Sequence, residues 1–252
     1  MLTVRDVYDL IDGLAPFETQ DSFDNAGLLV GHPAWAVRGV HVAMDVTTSV
    51  LDEAIAAGAN LIVTHHPMMF ASRKNLVEAD SEGILLCRMI RHEIALIAAH
   101  TNLDRAPGGI NDVLARRLGL TEVTGEGYLR VGDLLAPMTA EDFARQAGES
   151  LGSVVRLMGR PDRVIRRAAV SSGAGSEGWE EARQLGAEAF LTGEMKHHHA
   201  LAAVEAGMVT LEAGHHATEE PGIFALADAL QNRLNALQYR IPVSKSAARP
   251  YC

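Results

Sequence analysis

Residues 41–67, HVAMDVTTSVLDEAIAAGANLIVTHHP, and residues 168–196, AAVSSGAGSEGWEEARQLGAEAFLTGEMK, decide how the rest of the chain is read. Laid side by side without a gap, Leu51 falls on Trp179, Glu53 on Glu181, Ala54 on Ala182, Gly58 on Gly186 and Thr64 on Thr192. A short β-branched or apolar run precedes an amphipathic helical pattern in each stretch. Gly58 and Gly186 end the two helices, where the chain needs a left-handed turn. A second apolar run, NLIVT or EAFLT, then leads into polar residues.

The match resumes downstream. IALIAAHTNLD (94–104) aligns with MVTLEAGHHATEE (208–220), placing His100 on His215 and Asp104 on Glu219. Each copy ends in His-x-x-x-acid, then Pro-Gly and a further amphipathic helix. Agreement in order and in residue type predicts an α/β chain with mixed sheets, built from two duplicated β-α-β-β-α repeats. The first repeat, with an N-terminal helix, is expected over 1–125. The second is expected over 126–252, its C-terminal part packing back at a shared site. Residues 121–165 read as the connection, with Thr139 as N-cap of a helix in MTAEDFARQAGESLG. All the polar clusters follow strands, and open α/β folds place ligands beyond the carboxyl ends of their strands.

Bulk properties narrow the function. The chain has 252 residues, 48% of them hydrophobic and 21% charged, enough for one large or two medium domains with a real core. A net charge of −10 argues against general affinity for nucleic acid or an anionic membrane. The run RLMGRPDRVIRR (156–167) gathers arginines and reads as a solvated loop and strand edge. No apolar run is long enough to cross a bilayer. MLTVRDVYDLIDGLA reads as an amphipathic helix rather than a secretion signal. The two cysteines, Cys87 and Cys252, form no disulfide framework and fit a reducing cytoplasm.

The chemistry lies in the histidines. There are eleven, and eight of them gather at His65-His66, His100, His197-His198-His199 and His215-His216, with His32, His41 and His92 outside these clusters. Adjacent imidazoles after a buried strand, with Pro67 holding His66 extended, can splay toward two neighbouring ions. AAHTNLD and AGHHATE each pair an imidazole with a carboxylate four residues on, and a carboxylate can bridge two ions. His65, His66, Asp104, His215 and Glu219 are therefore the expected ligands of a pair of divalent metals. A nitrogen and oxygen set without cysteine suits zinc, iron, manganese or cobalt. His100 is expected to stand behind Asp104, orienting it. Glu194, Lys196 and His198 follow the strand equivalent to the one ending in THHP. Glu194 or His198 is a candidate general acid or base, with structural hydrogen bonding as the alternative role. Asp24 and Asn25 read as turn residues.

FDNAGLLVG, THHP, AAHTNLD, TGEMKHH and AGHHATEEPGI resemble the NGG-interacting-factor-three-like family, the YbgI-like proteins also called GTP cyclohydrolase I type 2 homologues. The resemblance spans almost the whole chain. It implies a three-layer α/β/α fold of two intertwined repeats, a dinuclear metal site with the five ligands above, and a ring-shaped homohexamer. The leading expectation for function is a metal-dependent hydrolase of a small molecule, such as the nucleotide GTP, or a phosphatase using the same ions. No P-loop pattern is present, so metals and cavity cations would hold a nucleotide. The alternative is a non-catalytic protein that stores or delivers metal, or a ring-shaped scaffold.

Overall fold

A computed structural model describes residues 1–249; Cys252 lies outside the described residues. In chain order the elements are α1 (Val4–Asp12), β1 (Gly27–Val30), β2 (Val40–Ala43), α2 (Thr48–Ala56), β3 (Leu61–Thr64), α3 (Ser81–Arg91), β4 (Ala95–Ala98) and α4 (Thr101–Arg105). Then come α5 (Ile110–Arg117), β5 (Leu120–Thr124), β6 (Arg130–Thr139), α6 (Ala140–Leu151), β7 (Arg156–Met158), β8 (Val164–Ser171) and α7 (Trp179–Gln184). The last are β9 (Ala189–Thr192), α8 (His197–Glu205), β10 (Val209–Glu212), α9 (His215–Ala236) and β11 (Val243–Lys245). The chain divides into two units, one holding Met1–Pro107 and the residues from Ile223 on, the other Gly108–Gly222.

The first unit is a five-stranded sheet in the order β1-β4-β3-β2-β11. Strands β11, β2, β3 and β4 run parallel, and β1 pairs antiparallel with β4. β2, β3 and β4 are buried along their whole length, which is why they read as continuous apolar runs. Thr3 and Asp6 form a capping box on α1, whose Val4, Val7 and Ile11 are buried, as the amphipathic pattern predicts. Thr47 caps α2, Asp80 caps α3, and α2 gives way to Gly58 at φ +68°. Leu51, Ile62, Leu86, Met89 and Leu96 pack together in the core of this unit.

The second unit is a six-stranded sheet in the order β5-β6-β8-β9-β10-β7. β8, β9 and β10 are parallel neighbours, with β6 and β7 antiparallel on either side. Thr139 caps α6 as read from the sequence, and the helix stops at Gly152 in the left-handed region. The helix α7 is followed by Gly186 at φ +81°, as expected for the counterpart of Gly58. Phe143, Ile165, Val170, Leu191 and Leu211 fill one core and Trp179, Phe190 and Met208 another.

Both units therefore contain three parallel strands joined by helices, with an antiparallel strand beside the last. The structure adds a helix between the second and third of these strands, α3 or α8, where the β-α-β-β-α pattern predicts strand followed directly by strand. It also treats the two Pro-Gly pairs differently. Pro107-Gly108 separates α4 from α5, whereas Pro221 lies inside the 22-residue α9. At Gly222 a Cβ would stand 2.6 Å from Ile110 Cδ1, so the helix passes α5 only because that residue is glycine.

Candidate functional site

Strand register brings the first group of side chains together. Ala43 is opposite Thr64, and Thr64 opposite Ala98, so β2, β3 and β4 end level. The ladder continues past the strands, with the His65 amide donating to Ala43, the His66 amide to Met44 and the Ala99 amide to Thr64. His65, His66 and His100 consequently leave the carboxyl edge side by side. Their ring centroids are 5.0 Å (65–66), 5.1 Å (65–100) and 5.7 Å (66–100) apart. Each offers one nitrogen within 4.8 Å of the others, a grouping that can hold a metal ion.

Hydrogen bonds settle which nitrogen faces inward. His65 is fully buried, and its Nδ1 lies 2.9 Å from the Ala99 carbonyl oxygen. A carbonyl only accepts, so Nδ1 carries the proton and Nε2 the lone pair. That Nε2 faces Asp104 Oδ1 at 3.5 Å. Two bases at this separation need a proton or a cation between them. His66 Nδ1 is likewise 2.7 Å from Asp45 Oδ1 and His100 Nδ1 is 2.8 Å from Asp24 Oδ1. Carboxylate-backed imidazoles with Nε2 turned outward are the arrangement metal-binding histidines use, because the carboxylate sets the tautomer and raises ligand basicity.

Asp104 is buried in α4, its amide bonded to the His100 carbonyl at 3.0 Å. The side chain of His100 turns to Asp24 rather than to Asp104, so its expected role as the partner orienting Asp104 gives way to a place in the histidine group. Asp24 does more than make a turn. Burial alone would raise its carboxyl, but hydrogen bonds from His100 and Thr101, with the Asn25 amide, hold it well below the ordinary carboxylate range. Asn25 lies just past the turn that Asp24 closes on the Asp21 carbonyl, and its Nδ2 donates to the Met69 carbonyl at 3.0 Å.

In the second unit the ladder runs on in the same way. The Ala213 amide donates to Thr192 and that of Gly214 to Gly193, setting His215 at the start of α9 beside Glu194. His215 Nδ1 is 2.8 Å from Glu194 Oε1, and its Nε2 is 3.1 Å from Glu219 Oε2, one helical turn on. An imidazole between two carboxylates is an imidazolium, or it donates to Glu194 and shares a cation with Glu219. Glu219 is buried, and Gly173, at φ +55°, leaves it room: a Cβ there would stand 2.1 Å from Glu219 Oε1 and 3.2 Å from His215 Nε2. Gly193 is equally constrained, since a Cβ would stand 2.6 Å from the Gly173 carbonyl oxygen.

The remaining residues fall elsewhere. Glu194 is engaged with His215. His198 lies exposed on the first turn of α8, its ring 4.2 Å from that of His199, which in turn meets Ser176 at 3.0 Å. Lys196 pairs with Glu177 at 2.8 Å. Arginines 156, 160, 166 and 167 of the basic run pair with Glu212, Asp162, Glu188 and Asp133, and Arg163 donates to the Gly207 carbonyl. Four of the five charges thus meet a carboxylate. Among the described residues no helix is long and apolar enough to cross a membrane.

Mixed parallel-core sheets with histidine and carboxylate groups at their strand ends define an α/β protein with potential metal-holding groups. The chain belongs to the Duf34/NIF3 (NGG1p interacting factor 3) family, whose model matches residues 2–250. It is 32% identical over 263 residues to a Clostridium acetobutylicum protein named GTP cyclohydrolase 1 type 2 homolog, covering 99% of this chain and 98% of that one. A Streptomyces coelicolor protein of the same name is 33% identical over 269 residues, covering 100% and 94%. Among solved structures, Staphylococcus aureus protein SA1388 superposes with a TM-score of 0.95 at 29% identity, covering 99% of this chain and 98% of that one.

Proposed function

We propose that the chain is a metal-dependent hydrolase of a small molecule, with a nucleotide such as GTP as the leading substrate class. The ligands in this reading are His65, His66 and Asp104 in the first unit and His215 and Glu219 in the second, holding two divalent ions of zinc, iron, manganese or cobalt. The observation that carries it is the 3.5 Å approach of His65 Nε2 to Asp104 Oδ1 with Nδ1 already committed to Ala99. The donors present fit such ions: imidazole nitrogens and carboxylate oxygens, with the tautomers set by Asp45 and Glu194. Divalent ions bound there would polarise the substrate and activate water for attack.

The protein's own residues do the rest. Ala99 and Asp45 hold the two adjacent rings through Nδ1, which turns the Nε2 of His65 to Asp104. Gly173 and Gly193 keep side chains away from His215 and Glu219. Glu194 acts as a positioning residue for His215, and in its exposed place it can also take up a proton from His215 Nδ1. His198 remains a candidate acid or base at the edge of α8. The assembly proposed is a homohexamer, in the cytoplasm.

The names of the relatives support a nucleotide substrate. The test is turnover of a nucleotide and phosphoester panel by metal-loaded protein, beside an Asp104→Ala control. Hydrolysis that disappears with chelator, returns with metal and is lost in the variant supports the reading. Stoichiometric metal without turnover of any substrate favours metal storage, delivery or a scaffold.

A further inference from the structure

A cavity of about 650 Å³ lies in the first unit between β1, the edge of α3 and residues 69–76. Its volume suits a small organic ligand. Leu29, Trp35, Leu76, Leu86 and Ile90 line it, and its walls are predominantly apolar. Leu76 and Ile90 are large apolar side chains that the fold leaves nearly half exposed, at 47% and 49%. Gly31, at φ +101°, lets the Trp35 ring approach, since a Cβ there would stand 3.0 Å from the indole and 2.7 Å from Ala95 Cβ.

The basic side chains on its lining are Arg73, Lys74 and His32, with the amide of Asn75 beside them and no carboxylate among the lining residues. Arg73 is committed, bound to Asp80 at 2.9 Å and to Glu82. Lys74, by contrast, makes no ion pair among the described residues. His32 accepts from the Ala34 amide at 3.1 Å through Nδ1, which puts the ring proton on Nε2, free to donate. An apolar cleft with an ammonium and an imidazole N–H on its lining is complementary to one kind of molecule. The geometry points to a binding site for a small amphipathic carboxylate, its hydrocarbon or aromatic body against Trp35 and Leu86 and its carboxylate at Lys74 and His32. None of these residues belongs to the histidine and carboxylate groups described above, so the site stands whether or not those groups hold metal.

The test is calorimetric titration of the full chain with octanoate, followed in parallel by tryptophan emission, with octanol as the headless control. Expected is saturable binding of one octanoate per chain, weaker binding of octanol, and an emission change that Trp35→Phe removes. Lys74→Glu should weaken octanoate about tenfold, the effect of losing a charge-assisted bond. Leu76→Glu, at an exposed position where folding is safe, should abolish it. No saturable heat at millimolar octanoate in folded wild-type protein overturns the site. Equal affinity of wild type and Lys74→Glu overturns the carboxylate assignment. A fall in oligomer mass in Leu76→Glu would show that a second copy of the chain covers the cleft, and would also overturn it.

Discussion

The Nδ1–H of His65 donates to the backbone carbonyl of Ala99 at 2.9 Å, and that bond fixes which nitrogen of a fully buried ring is turned to Asp104. The carbonyl is available because β3 and β4 end in register and the chain continues one residue past each. Strand pairing thus sets which ring nitrogen faces the carboxylate.

Asp45 does the same for His66 from a more open position, its side chain 40% exposed. Asp45→Asn should leave the fold intact and weaken metal binding by roughly 10–100-fold, the usual cost of removing a carboxylate behind a metal-bound histidine. Competition against a chromophoric chelator measures this. Unchanged affinity would remove Asp45 from the account.

Gly173 is required twice over, by its positive φ and by the closeness of Glu219. Gly173→Ala should cost about 1–3 kcal/mol from the backbone alone, with further loss as the Cβ displaces Glu219. The denaturation midpoint and the metal content should fall together. A variant as stable as wild type with full metal would contradict the geometry at this strand end.

Much of this was legible in the chain. The repeat of apolar run, helix, glycine and apolar run located β2, α2, β3, β8, α7 and β9, because parallel strands buried on both faces must be apolar throughout. Thr139 and the amphipathic N-terminal helix were legible from capping and period. Less legible were α3 and α8. The first follows a long irregular stretch, and the second begins on the three consecutive histidines, which mask its apolar face. Pro221 suggested a break that does not occur. Asp24, Asp45 and Gly173 were hidden for another reason: their partners, His100 past β4, His66 past β3 and Glu219 on α9, come from other parts of the chain. In the ungapped alignment Asp45 falls on Gly173 and His66 on Glu194, so the two halves carry different chemistry at matching places.

Acid sensitivity should arise at a clasp joining β2, α2 and β11. His41 Nε2 is 3.2 Å from Glu53, its Nδ1 is 2.8 Å from Ser244, and Ser246 donates to Glu53. Burial pushes the His41 pKa below 6.5, with Glu53 only partly opposing it. The unfolded chain therefore binds a proton more readily, and this contribution is complete above pH 6.5 and declines as pH falls below it. Glu53 is itself lowered: burial works to raise it, and hydrogen bonds from Ser246 and His41 outweigh that. Its contribution is lost later, below about pH 4.5. Urea midpoints should drop between pH 7 and 5, and His41→Gln should flatten that part of the profile. An unchanged slope in the variant would assign the effect elsewhere.

The assembly has its own check. Light scattering at micromolar protein should give about six times the 27.0 kDa chain mass. A single-chain mass would refute the hexamer while leaving the metal groups untouched.

The most direct measurement is elemental analysis of purified, reconstituted protein, with Asp104→Ala and Glu219→Ala alongside. The account predicts about two transition-metal ions per chain, and a marked loss in each variant, because their carboxylates face the imidazoles of His65 and His215. One ion per chain, or none after careful reconstitution, would contradict it.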